Sequence, residues 1–378
     1  AMRGLMTAPL FILMACIALI GANGLLLSPI LTDIAAELDT SVTSVGRAIA
    51  AYSAGTAVTA LWLGRSMDGF GLARALLLAM ALVGLAQIGS AFSTGWVALS
   101  AFQGLAGAGA GIALPAIYGI TAQISPNGQE SRYMSRVIFG WSVAMVAAVP
   151  LGAFLSDILG WRQMLMLVGG SAFILILFAM KLLPPSESAV ARVRMGRFVP
   201  LTLPGGAVQF AICLFFMMGF YGTYAYLGAH TRTNLGVTAT AAGLSALFYG
   251  VGFGIAMTVA GVIDKYGRNV VLPAGLAIAA IFLASVSVSP NFAAFLATIL
   301  LWGFINHFIL NMIVVGLNSL APNNRGAVMG LYSAVTYSGA SIGVLLMGYM
   351  YEGFGFVAVA LTAAALNFAA MLMALRRT

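Results

Sequence analysis

Long apolar runs, each broken by a short polar or Gly/Pro segment, follow one another along the whole chain. They fall at about 8–31, 44–64, 73–93, 97–120, 134–157 and 162–183. After a polar interval they resume at about 203–228, 239–261, 270–289, 293–318, 327–350 and 355–375. The hydrocarbon core of a bilayer is roughly 30 Å thick and a helix rises about 1.5 Å per residue, so runs of this length cross as helices. The pattern therefore predicts an all-α membrane protein with twelve transmembrane helices in two groups of six. The first run is too long for the apolar region of a leader, and many spans follow it, so it is expected to stay as an uncleaved first helix.

The interval "PPSESAVARVRMGRFVP" (184–200) is the longest polar stretch. It divides the chain into a first bundle, 1–183, a cytoplasmic linker with a short surface helix, and a second bundle, 201–378. Composition agrees with a bilayer as solvent: 62% of residues are hydrophobic and 7% charged, against roughly 45–50% and about 25% in soluble domains. The net charge of +8 points to orientation, not to nucleic acid. With the N-terminus inside, fourteen of the seventeen Lys and Arg fall in cytoplasmic segments and three, Arg47, Arg162 and Arg232, fall outside. The excess of positive charge inside sets topology, so both termini are expected in the cytoplasm, as an even number of spans requires. Cys16 and Cys213 lie inside apolar runs and form no disulfide framework.

The chain repeats itself. "GRSMDGFGLAR" (64–74), between spans 2 and 3, matches "AGVIDKYGRN" (260–269), between spans 8 and 9. Asp68 pairs with Asp264 and Gly71 with Gly267 at an offset of 196. "LGW" (159–161) after span 5 pairs with "FGF" (354–356) after span 11 at 195. One near-constant offset across both halves reads as two copies of a six-helix unit. In each turn an aspartate caps a neighbouring helix N-terminus, where a carboxylate meets the positive end of the dipole, and glycine permits the reversal. Topogenic charge alone is the plainer explanation of either turn taken singly.

Six plus six spans with D-x-x-G turns after spans 2 and 8 resemble the major facilitator superfamily. Gln103-Gly104 in span 4, "VPLGAFLSDILGWR" (149–162) and "APNNRGAVMGLYSAVTYSGASIGVLLMG" (321–348) resemble in particular its drug/proton antiporter and sugar-efflux branch. The resemblance covers essentially the whole chain. It implies two pseudo-symmetric bundles in a bacterial inner membrane, spans 1 and 7 lining a central cavity, and a monomeric carrier. It also implies that Asp68, Gly71, Arg74, Asp264, Gly267 and Arg268 latch one conformational state. The sequence departs from the family at Leu72, where a basic residue normally follows the second glycine, with Arg74 as the nearby substitute. It departs again at Ser100, where the branch carries an arginine tied to proton coupling.

None of the nine acids falls in the middle of a span, although intramembrane ionisable groups are usually functional. Asp33, at the outer end of span 1, is placed either as a proton-coupling group or as a solvated acid. In span 10, His307, Asn311, Val314 and Asn318 recur on one helical face with Asn306 beside them. Polar groups left in lipid cost several kcal/mol, so this face meets other helices or water. His307 then reads as a substrate ligand or proton carrier, or the stripe reads as interhelical glue. Cys213, Met217, Tyr221 and Tyr224 form a stripe in span 7 that suits apolar or flat ligands, or a packing face. Asn23, Tyr52, Thr56, Tyr332 and Thr336, with Gln103, complete the candidate cavity. Arg47 is expected to pair with Asp33 or Asp39, or to draw anions to the outer vestibule. The glycines of span 4 (Gly104, Gly107, Gly111) are expected to let helices approach, and Pro150 and Gly152 to loosen span 5.

The small-molecule partner expected is an amphipathic organic compound exported in exchange for protons. The alternatives are uptake or exchange of an organic anion and, further off, a receptor without transport. A soft-metal site joining Cys16, Cys213, Met217, His307 and Met312 is the weakest, since twenty methionines make such coincidences common. No metal, cofactor or enzyme is expected. The sequence has no G-x-x-x-x-G-K phosphate loop, "GAGAGIALP" (107–115) sits inside a span, and two histidines without a buried acid supply no triad.

Overall fold

The computed structural model describes residues 8–63, 71–126, 129–183, 196–259, 265–321 and 325–376, at 130, 131, 325 and 326 by their backbone alone. The described residues are almost entirely helical. Span 1 is Ala8–Leu25 continued, across a break at Leu26, by Leu27–Glu37. Span 2 is Val42–Trp62, span 3 Leu72–Ala91 and span 4 Trp96–Ile124. Span 5 is built from Glu130–Ile138, Gly140–Val143 and Val149–Leu159, joined by a π-helical turn at Ala144–Ala148. Span 6 is Trp161–Leu182, span 7 Gly206–Asn234, span 8 Ala239–Met257, span 9 Arg268–Val286 and span 10 Phe292–Asn318. Arg325–Leu375 is helical throughout except at Gly355, whose φ of 76° separates span 11 (325–354) from span 12 (356–375). The four residues Val199–Thr202 form a short helix ahead of span 7.

Ten helices among the described residues are long and apolar enough to cross a membrane, the last of them comprising spans 11 and 12. Span 2 has the length but not the apolarity, because Ser, Thr, Gly and Arg47 interrupt it. Its position explains this: span 2 is packed between span 4 of its own half and span 11 of the other, so little of it meets lipid. The lipid-facing apolar side chains lie instead on peripheral helices, such as Leu78 and Leu85 on span 3, Leu177 on span 6, Ile281 on span 9 and Leu361 on span 12.

The repeat predicted from the turns is present in the backbone. Positive φ occurs at Gly71 and Gly267, at Gly160 and Gly355, and at Asp39 and Gly236, pairs separated by 196, 195 and 197 residues. Spans 2 and 8 begin on equivalent caps, where the Ser41 side chain accepts from Ser44 N at 3.1 Å and the Thr238 side chain from Ala241 N at 3.2 Å. Packing repeats as well. A Cβ on Gly107 of span 4 would fall 2.6 Å from the Tyr52 carbonyl carbon, and one on Gly303 of span 10 would fall 2.9 Å from that of Tyr249. Span 4 and span 10 therefore approach their partners backbone to backbone, and only glycine allows it. The expected loosening of span 5 is the π-helical turn. Pro150 has no N–H to donate, and the helix accommodates that one turn earlier by widening.

Alternating traversals put both ends of the described chain on one face, called here the terminal face; the opposite is the far face. The halves meet along three helix pairs, span 1 with 7, span 2 with 11 and span 5 with 8.

Candidate substrate site between the halves

At the far face the halves are joined by polar contacts, each taking one residue from each half. Arg232, ending span 7, grips Asp33 of span 1 with both terminal nitrogens, Nη2 lying 2.6 Å from Oδ1. Thr43 Oγ1 donates to Glu352 at 3.1 Å, and the Thr240 backbone N–H donates to Asp157 at 2.7 Å. Deeper in, the Ser28 hydroxyl donates to the Tyr224 carbonyl at 2.5 Å and accepts from Gly228 N at 3.4 Å. Asp33 is thus the partner of Arg232 and not of Arg47, with its side chain still 38% exposed. The Arg47 guanidinium lies over the Trp96 ring at 4.9 Å, because span 2 turns it toward span 4 and leaves Asp33 to span 7. Arg232 could have been suspected from sequence only by pairing opposite charges at the far ends of spans 1 and 7.

A second far-face cluster belongs to the first half alone. Glu37 accepts from Arg162 Nε and from the Trp161 indole, both at 2.6 Å. The Arg162 guanidinium beside it, helped by the indole, holds its carboxyl below the usual carboxylate range.

Midway along its helices the second half carries an aromatic cluster. Phe220 and Tyr221 meet edge to face at 4.9 Å, and Phe220 also packs against Tyr249 and Trp302 at 5.2 and 5.5 Å. His307 meets Phe253 of span 8 edge-on at 4.8 Å. Asn306 Nδ2 donates to the Tyr249 hydroxyl at 2.9 Å. The span-10 stripe therefore faces span 8 and not lipid: Asn306 and His307 are buried, and Asn311 is half-buried. On span 7, Met217 is buried against Gly339 of span 11, and Cys213 Sγ lies 3.9 Å from the Thr336 hydroxyl. Tyr221 approaches Tyr337 of span 11, with ring centroids 6.4 Å apart. Among the described residues, Tyr337 is the one second-half residue in the apolar core made otherwise by spans of the first half. In that core it lies with Tyr52, and Tyr118 packs against the core.

Several candidate residues have their polar groups engaged. The Tyr52 hydroxyl donates to the Ile20 carbonyl at 2.9 Å, and Thr56 bridges to the Gly107 carbonyl at 3.0 Å. Gln103 is directed away from the second half, its amide donating to Gln87 at 3.2 Å and Ser90 at 3.1 Å, both of span 3. Others are stranded. Both amide atoms of Asn23, Asn306 Oδ1 and His307 Nδ1 are buried without a partner. Tyr249, Trp302, Tyr118 and Tyr337 were not among the candidates. Tyr249 was readable as the repeat mate of Tyr52, 197 residues on, whereas nothing in the sequence marks Tyr337 as crossing to the other half.

Of the turn residues, Asp68 and Asp264 lie outside the described residues. Gly71 and Gly267 take the positive φ expected of them. Arg268 donates Nε to the Met312 carbonyl at 3.0 Å and Nη2 to Gln209 at 3.3 Å. Its repeat mate is Leu72, which is buried, while Arg74 is exposed; Arg74 does not occupy the matching seat. No group of three or more His, Cys, Asp or Glu that could hold a metal occurs among the described residues.

The family model described as Major Facilitator Superfamily matches the chain twice, over residues 12–232 and 209–378. The chain belongs to the Major Facilitator Superfamily. This transporter is 25% identical over 355 residues to the uncharacterised MFS-type transporter YwfA of Bacillus subtilis, covering 92% of this chain and 86% of that one. It is 26% identical over 337 residues to the chloramphenicol efflux pump Rv0191 of Mycobacterium tuberculosis, covering 85% and 80%. Its fold is that of the D-xylose–proton symporter crystal structure, with TM-score 0.80, 16% identity and coverage of 97% and 96%. This facilitator-family protein is a multi-pass protein of the bacterial inner membrane.

Proposed function

We propose that this transporter exports small amphipathic organic compounds by alternating access, exchanging them for protons. In this reading bundles 1–183 and 201–378 rock about the central aromatic site, the segment 184–200 links them, and the terminal face is cytoplasmic. One observation supports it above the rest: the far face is closed by polar contacts, each with one partner in each half, above a centre where polar side chains are left without partners. Permanently sealed interfaces are on average more apolar than those that open. Contacts such as Asp33–Arg232 and Thr43–Glu352 can instead be exchanged for water, as a gate requires. Export is favoured over uptake by the efflux pump among the relatives. The organic-anion alternative is not favoured, because Arg232 is engaged across the interface by Asp33, and Arg197 by Trp62.

Asp33 and His307 carry the proton coupling in this scheme. Protonating Asp33 releases Arg232 and frees the far face, and His307 is the titratable side chain beside the central aromatics. The turns after spans 2 and 8 latch the opposite state, with Arg268 anchoring the second. The test is flux in proteoliposomes, with compounds first selected by thermal stabilisation of the purified protein. Substrate counterflow that follows an imposed pH gradient, and slows at least tenfold in both Asp33→Asn and His307→Ala, is the expected result. A protein that moves no stabilising compound down any gradient is not a carrier.

A further inference from the structure

Resting on that carrier reading, the geometry points to an uncharged substrate: a flat, largely apolar molecule bearing two or more hydrogen-bonding groups, selected by the phenols gathered around Tyr337. Three observations carry this. The first is the origin of the cluster. Tyr52 and Tyr118, of spans 2 and 4, share an apolar core with Tyr337 of span 11, whose ring approaches that of Tyr221 of span 7. A ligand held there touches both halves at once, and Tyr337, seated in the core of the opposite half, must change its surroundings when they move.

The second is hydrogen-bonding capacity left over. Among the described residues both amide atoms of Asn23, at 4% exposure, and Asn306 Oδ1 are buried without a hydrogen-bond partner. Buried polar groups in native proteins are nearly always satisfied, and each exception calls for an explanation such as a missing ligand. Phenols and amides both donate and accept, which matches hydroxyl, amide or similar groups on a ligand and does not demand an ion.

The third is the absence of charge. Among the described residues no Asp, Glu, Lys or Arg makes a hydrogen bond or ring contact with Tyr52, Tyr221, Tyr332 or Tyr337. His307 packs on Phe253, with Tyr249 and Phe220 between it and Tyr221 along the chain of ring contacts. Tyr226, nearer the far face, instead feels Arg47 and Glu352. A charged ligand brought to the central cluster would lose its hydration with no carboxylate, Lys or Arg in contact with the phenols to replace it. The rings there also spend their faces and edges on each other, Phe220 on Tyr221 and Tyr249 on Trp302, which leaves no open box for a cation.

The experiment uses the full chain in detergent and three probes on one 4-nitrophenyl ring, ending in an uncharged propanediol, a trimethylammonium or a carboxylate. Binding is read by quenching of tryptophan fluorescence, since Trp302 stands in the aromatic cluster. The diol is expected to bind at least tenfold more tightly than either ion. Tyr337→Phe, which removes one oxygen, is expected to weaken the diol at least fivefold and to leave 4-nitrotoluene, with no hydrogen-bonding tail, unchanged. If that variant is unstable, Tyr221→Phe serves the same comparison. Equal binding of all three probes, tighter binding of either ion, or a diol affinity indifferent to both phenols overturns the inference. Selective diol binding without flux in proteoliposomes upholds the site and counts against the carrier. Flux that is blind to charge does the reverse.

Discussion

Beneath Gly119 of span 4 sits the side chain of Leu72, and beneath Gly316 of span 10 sits the guanidinium of Arg268. The two glycines are repeat mates, as are the two occupants, and the surroundings differ to suit. Gln209 accepts from Arg268, while its mate Leu13 is fully buried among apolar neighbours. The exchange runs the other way between spans 3 and 4. There Gln87, Ser90 and Gln103 form a buried hydrogen-bonded triad, and the matching positions in spans 9 and 10 are Leu283, Val286 and Ile299, all buried. The halves share backbone reversals and glycine contacts and differ in where each keeps its polar groups. A duplicated fold holds onto what its backbone geometry demands. Polar chemistry moves freely, provided all the members of a network move together.

The contrast can be broken at graded cost. Gly107→Val and Gly303→Val each drive a side chain into the backbone of the facing helix, and each should cost about 3 kcal/mol. Thermal unfolding of the purified protein should show similar losses, and tolerance in one half alone would refute the equivalence of the two contacts. Arg268→Leu should cost about 2 kcal/mol, the range for hydrogen bonds to a charged group, because it strands Gln209. Adding Gln209→Leu, which rebuilds the Leu72–Leu13 arrangement of the first half, should restore more than half of the loss.

Gln103→Ile alone should cost about 1–2 kcal/mol by leaving Gln87 and Ser90 without their donor. The triple change Gln87→Leu, Ser90→Val, Gln103→Ile copies the second half and should come closer to the parent than the single variant does. The smallest effect concerns Glu37, whose mate is Thr233. Its carboxyl is held below the ordinary range by Arg162, so its contribution is present above the unfolded value and is lost as pH falls through the folded one. The side chain is about half exposed, at 48%, so the loss should stay under about 1 kcal/mol. It should disappear in Glu37→Gln, measured as the slope of melting temperature against pH below 5.

Much of the architecture was legible because the bilayer imposes it. Twelve apolar runs and two matching turns are one-dimensional signals that survive without knowledge of packing. The side chains that join the halves were not legible. Asp33 has several cationic residues that sequence alone cannot rank, and Arg232, 199 positions away, becomes its partner only once spans 1 and 7 are set side by side. Gln103 looked like a cavity residue because polar groups in spans are usually functional, yet span 3 supplies its partners. Tyr337 sits one position from Thr336, and periodicity cannot tell which of the two enters the opposite half.

Span 2 lies between helices of both halves, and its polarity bears on assembly. A segment rich in Ser, Thr and Gly gains little by leaving an insertion machine for bare lipid. Its neighbours must offer it a protein-lined berth: span 4 is made soon after it, but span 11 only near the end of synthesis. Until then the span-11 side of span 2 is a weakly apolar surface awaiting cover. The last bundle to be synthesised thereby completes the environment of one of the first helices, which ties the maturation of the two halves together.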